Sequence, residues 1–220
     1  MLCCLICATL TINTSSVFSN TNNDIIYEGN RNSNNVSLMF NVYSGTEYLI
    51  NIVKILDSYG LKATFFIGGI WAEKNINLVK HIINNGHEIG NHGYLHLDHN
   101  SMDYKQNYDE IYACHNLLKE HLDYEMSLFA PPSGAFNNAT LTSAKDLGYL
   151  TIMWSKDTID WRDQDSNLIF ARATKNVKGG DLILMHPTKK TVESLIAILE
   201  YYKINNLIVS TVSRNLQLTE

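Results

Sequence analysis

The chain has 220 residues, 45% of them hydrophobic, which is enough for one domain with a substantial core. Its formal net charge of −5 and pI near 5.9 argue against nucleic acid as a main partner, and no cluster of Lys or Arg offsets that balance. A neutral or cationic glycan is compatible with this charge.

Residues 1–19 have the pattern of an export signal, because an apolar run over 2–12 is followed by polar residues and by the small residue Ser19. The run is too short to span a bilayer. No Lys or Arg precedes it, so a mis-assigned start or a buried N-terminal strand remains the alternative. We therefore expect an exported protein, extracellular or associated with the cell wall.

The next segment, residues 20–35, is dominated by Asn, Ser and Asp and predicts a flexible leader. Three of the four cysteines precede it, at positions 3, 4 and 7. Cys114 is left alone in the body of the chain, where it cannot form an internal disulfide. Its helix-like surroundings predict a small core residue.

From residue 36 onward, seven apolar runs rich in β-branched and aromatic residues alternate with stretches of helical period. The runs lie at 36–42, 61–69, 87–92, 126–131, 149–155, 181–186 and 207–213. Strands separated by helices imply parallel pairing through right-handed crossovers. The pattern predicts an α/β fold with a barrel-like parallel sheet, whose C-terminal rim is the place where catalytic residues gather.

Two histidines, His92 at the end of the third run and His96 four residues later, lie in a turn bracketed by glycine. Imidazole is the commonest side-chain ligand for divalent transition metals, so both are candidate metal ligands. His99 and Asp98 are further candidates, although a polar turn at a helix start explains them more simply. His87 is expected to be structural.

A third histidine, His186, ends the sixth run and is a candidate general acid or base; the alternative is a histidine hydrogen-bonded at a strand end. A loop after the fifth run holds Asp157, Asp160 and Trp161. Trp161 could stack on a sugar face and Asp160 could orient a histidine. A capping or turn role suits Asp157.

Five segments, taken in order, resemble the NodB-like polysaccharide deacetylases of carbohydrate esterase family 4, and the resemblance runs from about residue 36 to 213. They lie at 63–66 (ATFF), 86–92 (GHEIGNH), 129–134 (FAPPSG), 157–161 (DTIDW) and 182–187 (LILMHP). The resemblance implies a single domain over 36–220, a distorted (β/α)7 barrel of parallel strands. It also implies removal of acetyl groups from chitin-like or peptidoglycan glycans.

In this family an aspartate and two histidines hold a divalent metal, usually zinc or cobalt. The resemblance implies that His92 and His96 bind the metal, that His186 is the general acid and that Asp160 tunes it. Substrate is expected to contact Trp161 and also Ser133, which lies in the third segment.

The chain departs from the family at two motifs. The family's Thr-Phe-Asp-Asp-Gly is Met-Phe-Asn-Val-Tyr at 39–43, so Asn41 replaces the catalytic base and Val42 the metal-binding aspartate. A sporulation-associated branch has Phe-Asp-Ile-Asn-Trp-Gly, which accounts for Val42 but not for Asn41. Ala130 replaces the arginine that braces the active-site carboxylates. An asparagine amide cannot accept a proton at neutral pH.

Two other carboxylates could compensate. Glu47 is near Asn41 in sequence, but the segment from Ser44 to Glu47 has the pattern of a helix capping box. Asp98 is the second candidate.

These observations predict a monomeric, metal-dependent deacetylase of acetylated cell-wall or chitin-like polysaccharide, with a weakened zinc site and weak or altered activity. The alternative is a catalytically silent glycan-binding pseudoenzyme. A transition-metal-binding protein using His92, His96 and His99 is a third possibility, but it leaves Trp161 and Asp160 unexplained.

Overall fold

A computed structural model describes residues 25–218. The strands are β1 (Ile25–Ile26), β2 (Asn35–Val42), β3 (Thr64–Ile67), β4 (Glu88–Asn91), β5 (Leu128–Phe129), β6 (Leu150–Ile152), β7 (Lys156–Asp157), β8 (Leu182–Met185) and β9 (Ile208–Val209). The helices are α1 (Thr46–Ser58), α2 (Gly69–Lys74), α3 (Ile76–Asn84), α4 (Tyr104–Leu122), α5 (Asn138–Asp146), α6 (Ser166–Thr174), α7 (Lys189–Ile204) and α8 (Val212–Leu216). Across 25–218, no helix combines the length and apolar character needed to cross a membrane.

The strands form one curled sheet in the order β1-β6-β5-β4-β3-β2-β8-β7, with β9 paired to β2. All pairs between these strands are parallel. The stretch 150–157 begins as β6 beside β5 and ends as β7 beside β8. The chain advances only four residues from the end of β6 at Ile152 to the start of β7 at Lys156, which is about 13 Å at about 3.3 Å per residue. This stretch therefore brings opposite edges of the sheet close together.

The prediction of a single α/β domain with a distorted (β/α)7 barrel is therefore confirmed. Each of the seven predicted runs contains a strand. The sequence analysis did not predict β1 or β7, which have only two residues each.

Side chains of β2 alternate between the two sides of the sheet, as the pleat requires. Phe40 and Val42 belong to the large hydrophobic cluster that includes Leu49 of α1, whereas Met39 packs with Phe66 and other residues in a separate, smaller cluster. Position 41 shares the side of Met39. This alternation turns Asn41 away from the layer of helices and places Val42 in the apolar core.

Two expectations about local structure were wrong, namely the flexible leader and the capping box before α1. Residues 25–35 are not a flexible leader, because β1 pairs with β6 and the amide of Gly29 donates to the carbonyl of Gly180 at 2.7 Å. The predicted export signal and residues 20–24 lie outside the described residues. Cys114 is buried, as predicted.

The predicted capping box before α1 is not formed. Gly45 is the N-cap, with φ of 72° and no side-chain hydrogen bond. A Cβ at this position would lie 2.1 Å from the carbonyl oxygen of Pro187, so the turn requires glycine.

Candidate active site

A cavity of about 270 Å³ opens at the C-terminal rim of the sheet. Its lining residues are Asn41, Tyr43, His92, His96, Ser133, Trp154, Asp157, Trp161, Leu184 and His186. Six of the seven predicted site residues therefore meet at one place, and the seventh, Asp160, is bonded to His186 behind the wall.

His92 directly follows β4 and is fully buried. Its Nδ1–H donates to the carbonyl of Ala130 at 2.7 Å, which leaves Nε2 as an acceptor without a hydrogen-bond partner among residues 25–218. Burial, together with the nearby His96, lowers the pKa of His92 to about 3. The imidazole is neutral at pH 7, as a metal ligand or an acceptor must be.

His96 lies across the same turn in the left-handed region, with φ of 58°. Its ring centroid is 5.0 Å from that of His92 and 4.0 Å from that of Tyr43. Burial lowers its pKa as well. Tyr43, which sequence reasoning did not select, therefore packs against one of the two predicted metal ligands.

The turn between these histidines is held by Glu110 of α4, a buried carboxylate. One oxygen, Oε2, accepts hydrogen bonds from the amide of Tyr94 at 3.0 Å and of Leu95 at 2.8 Å. Gly93 has φ of 70°, and a Cβ there would lie 3.0 Å from Nε2 of His99. Sequence reasoning missed Glu110 because an acid on a helix is ordinarily exposed.

The end of β2 contributes an amide where the family has carboxylates. Asn41 is only 3% exposed and its Oδ1 has no hydrogen-bond partner among the described residues. Val42 is fully buried in the apolar core, and Ala130 is also fully buried. Among the residues that the structure describes, this side of the cavity has neither a base nor a carboxylate ligand.

The opposite side carries a complete hydrogen-bonded pair. Nδ1 of His186 donates to Oδ1 of Asp160 at 2.8 Å, and the backbone amide of His186 donates to Oδ2 at 2.7 Å. The hydroxyl of Thr191 donates to the same Oδ2 at 2.7 Å. Three donors thus stabilise a fully buried carboxylate, which fixes the imidazole with Nε2 free for the cavity.

Apart from Leu184, the remaining lining groups are aromatic or polar. Trp161 is 55% exposed at the cavity mouth, and Ser133 adopts φ of 56°. Asp157 lines the cavity while its Oδ1 accepts the amide hydrogen of Ile159 at 2.7 Å. Asp157 therefore has the turn role considered for it, together with a position at the site.

The other candidate ligands lie outside this cavity, and Asp98 has the turn role that the sequence favoured for it. Asp98 is exposed and accepts from the amide of Asn100, and Glu47 is exposed on α1; neither lines the cavity. His99 is buried, with Nδ1 2.6 Å from Oδ1 of Asn107. His87 is structural, as expected, with Nε2 3.2 Å from Asp57.

The donor set falls short of the family's metal site. Catalytic zinc takes three protein ligands plus water. Within residues 25–218, no three His, Cys, Asp or Glu side chains come together as a potential metal group. His92 and His96 alone do not fit a resident zinc ion.

Comparison with known proteins gives the ancestry of this arrangement. A family model described as polysaccharide deacetylase matches residues 28–152. The chain is 33% identical over 200 residues to a peptidoglycan-N-acetylglucosamine deacetylase of Bacillus cereus, covering 88% of this chain and 93% of the relative. It is 36% identical over 188 residues to the uncharacterized protein YlxY of Bacillus subtilis, covering 86% of this chain but 59% of the relative.

Among solved structures, the chain is similar to a CE4 family pseudoenzyme from Bacillus anthracis. The TM-score is 0.84 and the identity 33%, over 87% of this chain and 68% of that one. The similarity thus extends both to a protein named as a deacetylase and to one described as a pseudoenzyme.

Proposed function

Because the chain belongs to the polysaccharide deacetylase family, we propose that it binds cell-wall or chitin-like polysaccharide in the rim cavity without efficient removal of acetyl groups. One observation carries this proposal. The His186–Asp160 pair is complete, whereas the end of β2 offers Asn41 and an apolar Val42 in place of two carboxylates.

Amide hydrolysis in such a site needs an acid that protonates the leaving amine on one side and a base that takes a proton from water on the other. On one side, Nε2 of His186 is the group positioned to protonate a departing amine, with Asp160 holding the ring. On the other side, Asn41 cannot take a proton from water. General-base assistance is worth about 10²–10⁴ in rate, or roughly 3–5 kcal/mol, and this chain forgoes it.

Metal-dependent deacetylation with weak turnover is the second candidate. The intact His186–Asp160 pair favours it, because the group that would protonate the leaving amine is in place. With two protein ligands, we expect zinc to bind weakly.

The relatives support the choice of partner. A similar protein is named as acting on peptidoglycan N-acetylglucosamine, which makes an acetylated amino-sugar polysaccharide the expected ligand. Such a ligand lies outside the cytoplasmic membrane, consistent with the expected export. The exposed Trp161 and Tyr43 offer flat surfaces for sugar rings, and Ser133 offers a hydroxyl.

The test pairs acetate release with binding on the same preparations. Acetylated chitooligosaccharides and muropeptides are incubated with the protein with zinc and with a chelator, and their affinities are measured by calorimetry. We expect binding without acetate release above the protein-free rate. Robust, chelator-sensitive acetate release would overturn the proposal and favour the second candidate.

A further inference from the structure

Two buried hydrogen-bond acceptors at the cavity have no donor among residues 25–218. Nε2 of His92 is an acceptor because Nδ1–H is committed to the carbonyl of Ala130 at 2.7 Å. Oδ1 of Asn41 is likewise buried without a partner in the described part of the chain. Buried polar groups are almost always paired, so two unpartnered acceptors at one cavity indicate a ligand that brings donors.

The charge of the wall indicates the sign of that ligand. Among the described lining residues, none is Lys or Arg, and Asp157 is the acidic one. At position 130, where the family has an arginine, the chain has alanine. The described part of the wall therefore offers acceptors and a carboxylate, and no lysine or arginine.

Aromatic rings add a third property. Tyr43, Trp154 and Trp161 line the same cavity, and Tyr43 and Trp161 are exposed. A cation near the face of such rings is attracted by their quadrupole, and tryptophan is the most effective of them. Acceptors, a carboxylate and aromatic faces together are the groups that recognise an organic ammonium ion.

We propose that the cavity selects a glucosamine residue with a free, protonated amine, in other words a sugar that has already lost its acetyl group. This inference rests on the proposed function, since it names which residue of the bound polysaccharide occupies the site. An ammonium group brings three N–H donors and a positive charge, and the wall offers the acceptors Asn41 Oδ1 and His92 Nε2 together with the carboxylate of Asp157.

An acetamido group fits the same wall poorly. It has one N–H donor and no charge, so it leaves at least one of the two unpartnered acceptors without a donor and gains nothing from the charge of Asp157. The chain would thus bind the product of its family's reaction in preference to the substrate. It would mark deacetylated stretches of a polysaccharide that other enzymes have modified.

The test compares tetramers of glucosamine and of N-acetylglucosamine by calorimetry, with chelator present to exclude a metal bridge. We expect the glucosamine tetramer to bind at least tenfold more tightly. Asp157→Asn should reduce that preference severalfold, because it removes the charge while its amide oxygen still accepts from Ile159. Asn41→Leu, which removes an acceptor, should reduce it too.

Glu47→Gln is the matched control, because it makes the same change in net charge on the exposed face of α1, away from the cavity. We expect it to leave the preference unchanged. Equal affinities, or tighter binding of the acetylated tetramer, would overturn this inference and leave the proposed function intact. A preference that needs added zinc, or falls equally in the control, would also overturn it. If neither tetramer binds, the proposed function fails as well.

Discussion

Replacing Asn41 by aspartate restores the family's base at the end of β2 and is the sharpest single perturbation of this site. The side chain is 3% exposed, and no Lys or Arg lines the cavity as the structure describes it. The new carboxylate would be buried in a cavity that already holds Asp157 and is lined by no Lys or Arg among the described residues. Its pKa should therefore lie above the ordinary value of about 3.9.

The size of that pKa rise sets the expected loss in the free energy of unfolding. A rise of about one to two pKa units corresponds to about 1.4–2.7 kcal/mol of lost stability at neutral pH. The sign follows from proton binding, since the folded state of Asn41→Asp holds the proton more tightly. The loss relative to the parent should be absent below about pH 4 and complete above the raised pKa.

The gain in activity should be small despite the restored base. A base is worth about 10²–10⁴ only when the nucleophilic water is activated, and Val42 still supplies no metal ligand. We expect acetate release from N-acetylated chitotetraose to rise by less than about tenfold, with or without zinc. Asn41→Leu is the control for shape. A zinc-dependent gain of a hundredfold or more would show that the missing base was the sole defect.

Three further predictions concern stability and binding. Asp160→Asn should lower the free energy of unfolding by about 1.5–3 kcal/mol in urea titrations, because the buried carboxylate accepts three hydrogen bonds and the new NH2 group would face one of their donors. Asp163→Asn, in a partly exposed ion pair with Arg172, should lower it much less; equal losses would contradict this assignment. Burial lowers the pKa of His87 from 6.5 to about 4, so the free energy of unfolding should fall by about 2–3 kcal/mol at most as the pH drops from 6.5 to 4. His87→Phe should flatten that part of the pH profile, and an unchanged profile would refute the prediction. Trp161→Ala should weaken the binding of chitotetraose about tenfold in calorimetry, because the exposed indole would no longer stack on a sugar ring. It should change the free energy of unfolding by no more than about 0.5 kcal/mol. An unaltered affinity would exclude the indole as a surface for sugar stacking.

Much of the fold was predictable because each long strand is a run of apolar residues that must be buried on both faces. The positions of His92, Asp160 and His186 followed from the same logic, since polar residues just after such runs meet at one rim. Short elements escaped this reasoning. β1 has two residues, and only its pairing with β6 makes it a strand.

The missed site features depend on contacts between distant segments. Gly45 caps α1 because the carbonyl of Pro187 excludes a side chain, and nothing in the local sequence announces that contact. Glu110 is buried because two backbone amides of the histidine turn bind it. Tyr43 packs on His96 for a similar reason, since a left-handed turn brings that ring across the cavity.

Zinc binding tests the central claim most directly, since the weak metal site and the inefficient removal of acetyl groups both follow from the loss of carboxylates beside His92 and His96. The protein is loaded with zinc, dialysed against a moderate chelator and assayed for metal content, with imidazole resonances followed by NMR during the titration. We expect substoichiometric zinc after dialysis and fast, weak exchange. One zinc ion retained per chain, with slow exchange at both histidines, would contradict the account.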